Sequence, residues 1–145
     1  MTRIYMDGVF DMFHYGHLSA IEQAYNIGNK LSSVESPCWV IIGIISDEDT
    51  ESYKRLPIAT LGERTKIIKA LKYVDQVISP APLIVTKEFI KSNNIDIVVH
   101  GFANDADFEA QKEQHRELIE MGIFRRINYT SSISTTDIID RILSR

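Results

Sequence analysis

The sequence predicts one α/β domain in which five parallel strands form a doubly wound sheet with helices on both faces. Three observations carry this. Short apolar runs rich in β-branched residues alternate with amphipathic stretches from end to end. Residues 39–45 are continuously apolar, as in a strand buried on both faces. The 145 residues suffice for one sizeable core, and no repeat or Pro/Gly/Ser-rich linker divides them, so residues 1–145 read as a single domain.

Residues 3–6 read as the first strand and residues 18–26 as a helix with apolar positions at helical spacing. Residues 39–45 are the second strand. A helix over residues 60–73 follows, with Thr60 and Glu63 forming a capping box and Ile67, Ile68 and Leu71 on one side. Residues 74–78 make a short strand that Ser79-Pro80-Ala81-Pro82 ends. A small helix at 86–93 and a strand at 95–100 come next. Residues 105–121 read as one long polar helix stopped by Gly122. The last strand is 124–129, and Ser134 caps a final helix with Ile138, Ile139, Ile142 and Leu143 turned inward. Sheets of this kind bind ligands beyond the carboxyl ends of their strands, where strand order reverses. The 14–17 junction, the 46–57 segment and the 100–105 segment all fall at such ends and should converge on one crevice.

The first of these junctions holds the clearest chemistry. In Asp7-Gly8-Val9-Phe10-Asp11-Met12-Phe13-His14-Tyr15-Gly16-His17, two histidines flank a glycine where a strand hands over to a helix. Free N–H groups and the helix dipole make that junction an anion site. Two imidazoles there can donate to phosphate oxygens and offset charge that develops at phosphorus. Zinc ligation is a rival reading, although Cys38 is the only cysteine and no third ligand stands at regular spacing. A purely structural pair capping the helix is another. Gly16 favours close backbone approach to a ligand, since glycine within a helix otherwise lowers stability.

Composition narrows the rest. Hydrophobic content is 44%, charged content 25% and net charge −4, which is ordinary for a soluble protein and gives no global attraction for nucleic acid or anionic membrane. One cysteine suits a reducing, cytoplasmic setting. No apolar run is long enough to span a bilayer, and no signal peptide or basic amphipathic tail is expected.

The ordered motifs resemble the nucleotidyltransferase superfamily in its cytidylyltransferase branch, nearest to the cholinephosphate and ethanolaminephosphate enzymes. Asp7-Gly8-Val9-Phe10-Asp11 and His14-Tyr15-Gly16-His17 resemble its signature. Gly62-Glu63-Arg64 resembles its Glu-Arg pair, Tyr73-Val74-Asp75-Gln76-Val77 its Arg-Tyr-Val-Asp-Glu-Val segment, and Ile133-Ser134-Thr135-Thr136-Asp137 the end of its Arg-Thr-Glu-Gly-Ile-Ser-Thr-Thr motif. The resemblance implies a Rossmann-like fold. It also implies transfer of CMP from CTP to a phosphorylated alcohol, with release of pyrophosphate, a Mg²⁺ ion carried by the triphosphate, and a homodimer. No nucleic-acid partner is expected.

It further implies roles. His14, His17 and Lys54 would be catalytic, the lysine bridging donor and acceptor phosphates; a solvated loop lysine is its alternative. Gly8, Val9, Phe10, Gly16, Arg64, Lys72, His100, Gly101, Thr130, Ile133, Ser134, Thr135 and Thr136 would contact the nucleotide. Arg64 could instead be a surface charge paired with Glu63 or Asp49, and Ser134 and Thr135 a helix cap. Asp7, Lys54 and Phe102 would meet the acceptor. No residue is assigned to hold a metal directly. Tyr129 stands where the family has a nucleotide-binding arginine, Lys72 replaces another arginine, and this chain has His100-Gly101-Phe102-Ala103 where the choline enzymes follow the histidine with paired aspartates. Ethanolamine phosphate, choline phosphate and glycerol phosphate all stay open as acceptors. So do an ATP-using adenylyl transfer and a relative that binds nucleotide with weak turnover.

Overall fold

The computed structural model describes residues 1–129 and 133–145. Its five strands are β1 (Thr2–Gly8), β2 (Cys38–Ile45), β3 (Gln76–Ala81), β4 (Ile97–Phe102) and β5 (Phe124–Asn128). All neighbouring pairs are parallel, in the order β3-β2-β1-β4-β5. Strand order therefore reverses between β1 and β4, the place where a doubly wound sheet opens a ligand crevice.

Side chains alternate across the sheet and divide the core in two. Ile4, Met6, Val40, Ile42, Ile44, Ile97 and Val99 pack on one face against Ala20, Ile21 and Ala24 of α1 (Tyr15–Leu31) and Ile68 of α3 (Leu61–Lys69). Tyr5, Ile41 and Val98 pack on the other against Ile90 of α4 (Lys87–Ser92) and Leu118 of α6 (Arg116–Glu120). Helices thus cover both faces, as the sequence predicts. Among the described residues no helix is long and apolar enough to cross a membrane.

Four local expectations are corrected. Ser46 caps a short helix, α2 (Asp47–Glu51), inside the segment expected to be loop. Strand β3 starts later than expected and runs through Pro80, which an edge strand tolerates because its missing N–H breaks no central ladder. The expected long helix is three pieces: α5 (Asp105–Gln111), a 3₁₀ turn (Lys112–His115) and α6. No residue of α5 is buried, so no apolar stripe holds a straight helix there, and the tight turn seats the His115 ring against His100 and Phe124. Finally, α7 (Thr135–Ser144) leaves Ile142 and Leu143 exposed rather than inward, because only its first turn is fastened to the domain.

Candidate active site

Helix α1 begins with its two histidines closing each other's ends. His14 is the N-cap residue in extended backbone, and its Nδ1 accepts from the Gly16 N–H at 3.1 Å. His17 Nδ1 in turn accepts from the His14 N–H at 3.3 Å, and the rings stack at 3.8 Å. This is a capping box in which imidazoles replace the usual Ser and Glu. A neutral imidazole that accepts at Nδ1 must carry its proton at Nε2. Burial pushes both histidines below the ordinary range, His17 to about 3 with His14 and Lys54 adding to the effect. Both rings are therefore neutral Nε2–H donors at neutral pH. The structural and functional readings of the pair coincide: one nitrogen of each ring builds the helix, and the other is left to work.

Gly16 has a more specific reason than backbone approach. A Cβ there would stand 2.8 and 2.9 Å from atoms of the His14 ring, so only glycine lets the imidazole fold across the first turn. Gly8 similarly makes room for the Phe10 ring, which packs edge-on to His17. Between them the chain is strained, with positive φ at Phe10 (55°) and Met12 (49°). Asp11, buried within this loop, over-determines it: its two carboxylate oxygens accept from the N–H groups of Ile58 and Ala59, each at 2.8 Å.

Arg64 completes that scaffold from below. Its guanidinium is fully buried, donating to the carbonyls of Val9 (2.8 Å), Ile45 (2.9 Å) and Ala59 (3.2 Å) and pairing with Asp47. It ties the carboxyl ends of β1 and β2 to the start of α3. Four of its five N–H groups are thus engaged by the protein, a scaffold role that the sequence did not reveal beside the nucleotide contact the resemblance implies. Lys72 lies elsewhere. Helix α3 runs back along the sheet and delivers Lys72 beside Pro37 and Cys38, at the amino end of β2 and away from the crevice.

The other wall comes from the chain's end. His14 Nε2 lies 3.4 Å from Thr135 Oγ1, whose hydroxyl donates to the Asp11 carbonyl at 3.1 Å. Ile133 borders Gly16, and Ser134 caps α7 through the Asp137 N–H. The N-termini of α1 and α7 therefore meet at His14. Lys54, after α2, is close enough to depress His17, and its own ammonium is held below the usual lysine range by desolvation and then by Arg55. Thr136 receives a donor from Arg55. Thr130 lies outside the described residues.

Across the switch point, β1 and β4 pair at Ile4↔Ile97 and Tyr5↔Val98, and no pair is formed beyond these. There Asp7 Oδ1 and His100 Nδ1 stand 3.8 Å apart. Burial raises the Asp7 carboxyl to about 7 and lowers His100 to about 4, with His115 contributing to the latter. Gly101 admits the Tyr129 ring, which a Cβ would meet at 2.4 Å. Burial and nearby Asp7 raise that phenol to about 12, so the position where the family's motif has an arginine holds a neutral hydroxyl here. Phe102, for which the resemblance implies acceptor contact, is fully buried among His100, Phe108, His115 and Phe124 and packs against the His100 ring.

Sequence reasoning gave no role to Asp11, Asp47 or His115. A buried carboxylate in a turn signals that two donors await it, but nothing local says that they lie 47 and 48 residues on.

Neutral imidazole donors between two helix N-termini, at the switch point of a parallel sheet, define an α/β domain of the nucleotidyltransferase type. More particularly, the Cytidylyltransferase-like family matches residues 5–141, and the chain belongs to it. It is 36% identical to ethanolamine-phosphate cytidylyltransferase of Arabidopsis thaliana over 98% of this chain and 32% of that protein. With choline-phosphate cytidylyltransferase 2 of the same plant the figures are 37%, 98% and 45%, and with the mouse (Mus musculus) ethanolamine-phosphate enzyme 34%, 99% and 33%. The chain thus spans less than half the length of these relatives. The lipopolysaccharide core biosynthesis protein from Thermoplasma volcanium GSS1 shares the fold, with a TM-score of 0.66 at 21% identity, 90% of this chain and 97% of that chain covered.

Proposed function

We propose that this domain transfers CMP from CTP to a small phosphorylated alcohol bearing an ammonium group, giving a CDP-alcohol and pyrophosphate. The observation that carries the reading is the His14–His17 capping box, which leaves two neutral Nε2–H donors at a helix N-terminus in the crevice. The names of the relatives favour CTP as donor and ethanolamine or choline phosphate as acceptor.

An oxygen of the acceptor phosphate attacks the α-phosphorus of CTP in line, and the bond to the bridging oxygen of pyrophosphate breaks. His14 and His17 donate to the α-phosphate oxygens, where charge builds. Lys54 neutralises the approach of one phosphate to the other. The α7 N-terminus, with Thr135 and Thr136, receives the leaving diphosphate. The protein supplies position and preorganised charge, and no covalent intermediate is required.

Asp11 is occupied by N–H groups and Asp47 by Arg64, so neither carboxylate is free to hold a metal ion directly. A magnesium ion would come with the triphosphate, and the Thr135 and Thr136 hydroxyls are the groups of this chain that would help to hold it. When bound it supplies charge neutralisation.

Asp7 supports an ammonium-bearing acceptor over glycerol phosphate. A carboxylate opposite a half-exposed tyrosine, Tyr129, offers an ion pair and an aromatic face together. A cytoplasmic setting and a homodimer belong to the same reading; sedimentation velocity tests the dimer. The deciding experiment is pyrophosphate release with each nucleoside triphosphate against phosphoethanolamine, phosphocholine and glycerol phosphate. Preference for CTP with phosphoethanolamine or phosphocholine supports the reading, and preference for ATP overturns it.

A further inference from the structure

The charge balance of this site calls for more positive charge than Lys54 alone supplies. A triphosphate remains anionic even with a divalent ion bound, and its diphosphate end gains charge as the α-phosphorus bond breaks. The histidines are neutral. Arg64 is buried on three carbonyls and Asp47. Lys72 is at the opposite end of the sheet. Arg126 is held by Asp105 at 2.8 Å, with its guanidinium 4.9 Å from the centre of the Phe108 ring.

Arg55 differs from all of these. It is exposed, follows Lys54 directly in the chain, and forms no ion pair among the described residues. Its Nη1 reaches Thr136 Oγ1 at 3.4 Å, in the first turn of α7. The preceding residue, Thr135, is the one that His14 Nε2 approaches. Consecutive residues of one helix start thus set the histidine clamp and a free guanidinium side by side.

We infer that Arg55 binds the β- and γ-phosphates of the nucleotide, and then the departing pyrophosphate, supplying from the loop between α2 and α3 the fork that Tyr129 lacks. The inference rests on the cytidylyl reading and adds a residue to it. A guanidinium offers two parallel N–H donors to phosphate oxygens, which the single long contact to the neutral Thr136 hydroxyl readily releases. The clamp would hold the α-phosphate while Arg55 holds the end that leaves.

The test is calorimetric titration of wild type, Arg55→Ala and Arg55→Lys with CTP, CMP and pyrophosphate. Arg55→Ala should weaken CTP and pyrophosphate by about tenfold, the size of one charge-assisted contact at an exposed position, while CMP binds as before. Arg55→Lys should fall between, keeping charge without the fork. Unchanged CMP affinity also shows that the variant is folded. Equal loss for CTP and CMP, or no loss for CTP, overturns the assignment of Arg55 and leaves the cytidylyl reading standing. A wild-type chain that binds no CTP overturns both.

Discussion

Replacing Arg64 with methionine separates two accounts of that residue, because one makes it a nucleotide ligand and the other a scaffold. The substitution removes donors from the carbonyls of Val9, Ile45 and Ala59 and leaves Asp47 unpaired. Each bond from a charged group contributes about 1.5–3 kcal/mol, and breaking a buried ion pair costs about 3–5 kcal/mol. These do not add, since all four contacts share one group. Asp47 is also 31% exposed and can rehydrate, while methionine recovers part of the apolar contact. The net loss is about 3–4 kcal/mol. For 145 residues the unfolding entropy is about 0.3 kcal/mol per kelvin, so Tm should fall by roughly 10 °C or more. Thermal unfolding followed by circular dichroism, with CTP titration alongside, is the assay. CTP affinity should fall too, because the ends of β1 and β2 are no longer held together. A variant that melts with wild type yet loses CTP would refute the scaffold account and restore Arg64 as a ligand.

Gly16→Ala should keep the fold, since alanine favours a helix, yet lower turnover tenfold or more by pushing the His14 ring from its place, with about 0.5–1 kcal/mol of helix propensity offsetting the clash; kcat and Tm measured together check this. His14→Ala and His17→Ala should each reduce kcat by on the order of a hundredfold if both stabilise the transition state, which steady-state pyrophosphate release reads out. Asp7→Asn tests the acceptor end. Burial favours the protonated form of Asp7, so the wild type loses stability as pH rises from the ordinary carboxylate range to about 7, and Asp7→Asn should melt higher above that pH. In the same range the wild-type carboxylate gains affinity for an ammonium-bearing acceptor, whereas the variant stays flat; KM for phosphoethanolamine against pH in both proteins gives the comparison.

How much was legible differs between elements for physical reasons. Residues 39–45 could hardly be anything but a central strand, because six apolar side chains in seven consecutive residues need cover on both faces. The boundary of α1 was harder to see. A capping box is normally spelled with hydroxyl and carboxylate residues, so His14 and His17 did not read as one, and the helix was expected to start later than Tyr15. The 105–121 stretch misled because polar helix formers give a propensity without a stripe. Contact of His115 with His100, 15 positions away in sequence, decided where that helix breaks.

The sequence alone determined the alternation of strands and helices, and hence a parallel sheet, because hydrophobic period is a local property of the chain. It also singled out the His14–His17 junction as the candidate phosphate site, since free N–H groups and two imidazoles meet there. Only the tertiary structure decided which charges remain free to meet a phosphate. Arg64, Lys72, Arg126 and Arg55 are all simply cations in sequence. Burial on carbonyls, delivery to the wrong end of the sheet and capture by Asp105 remove the first three, and only Arg55 stays at the mouth of the crevice. A charge acts through what surrounds it, and the surroundings are assembled from parts of the chain far apart in sequence.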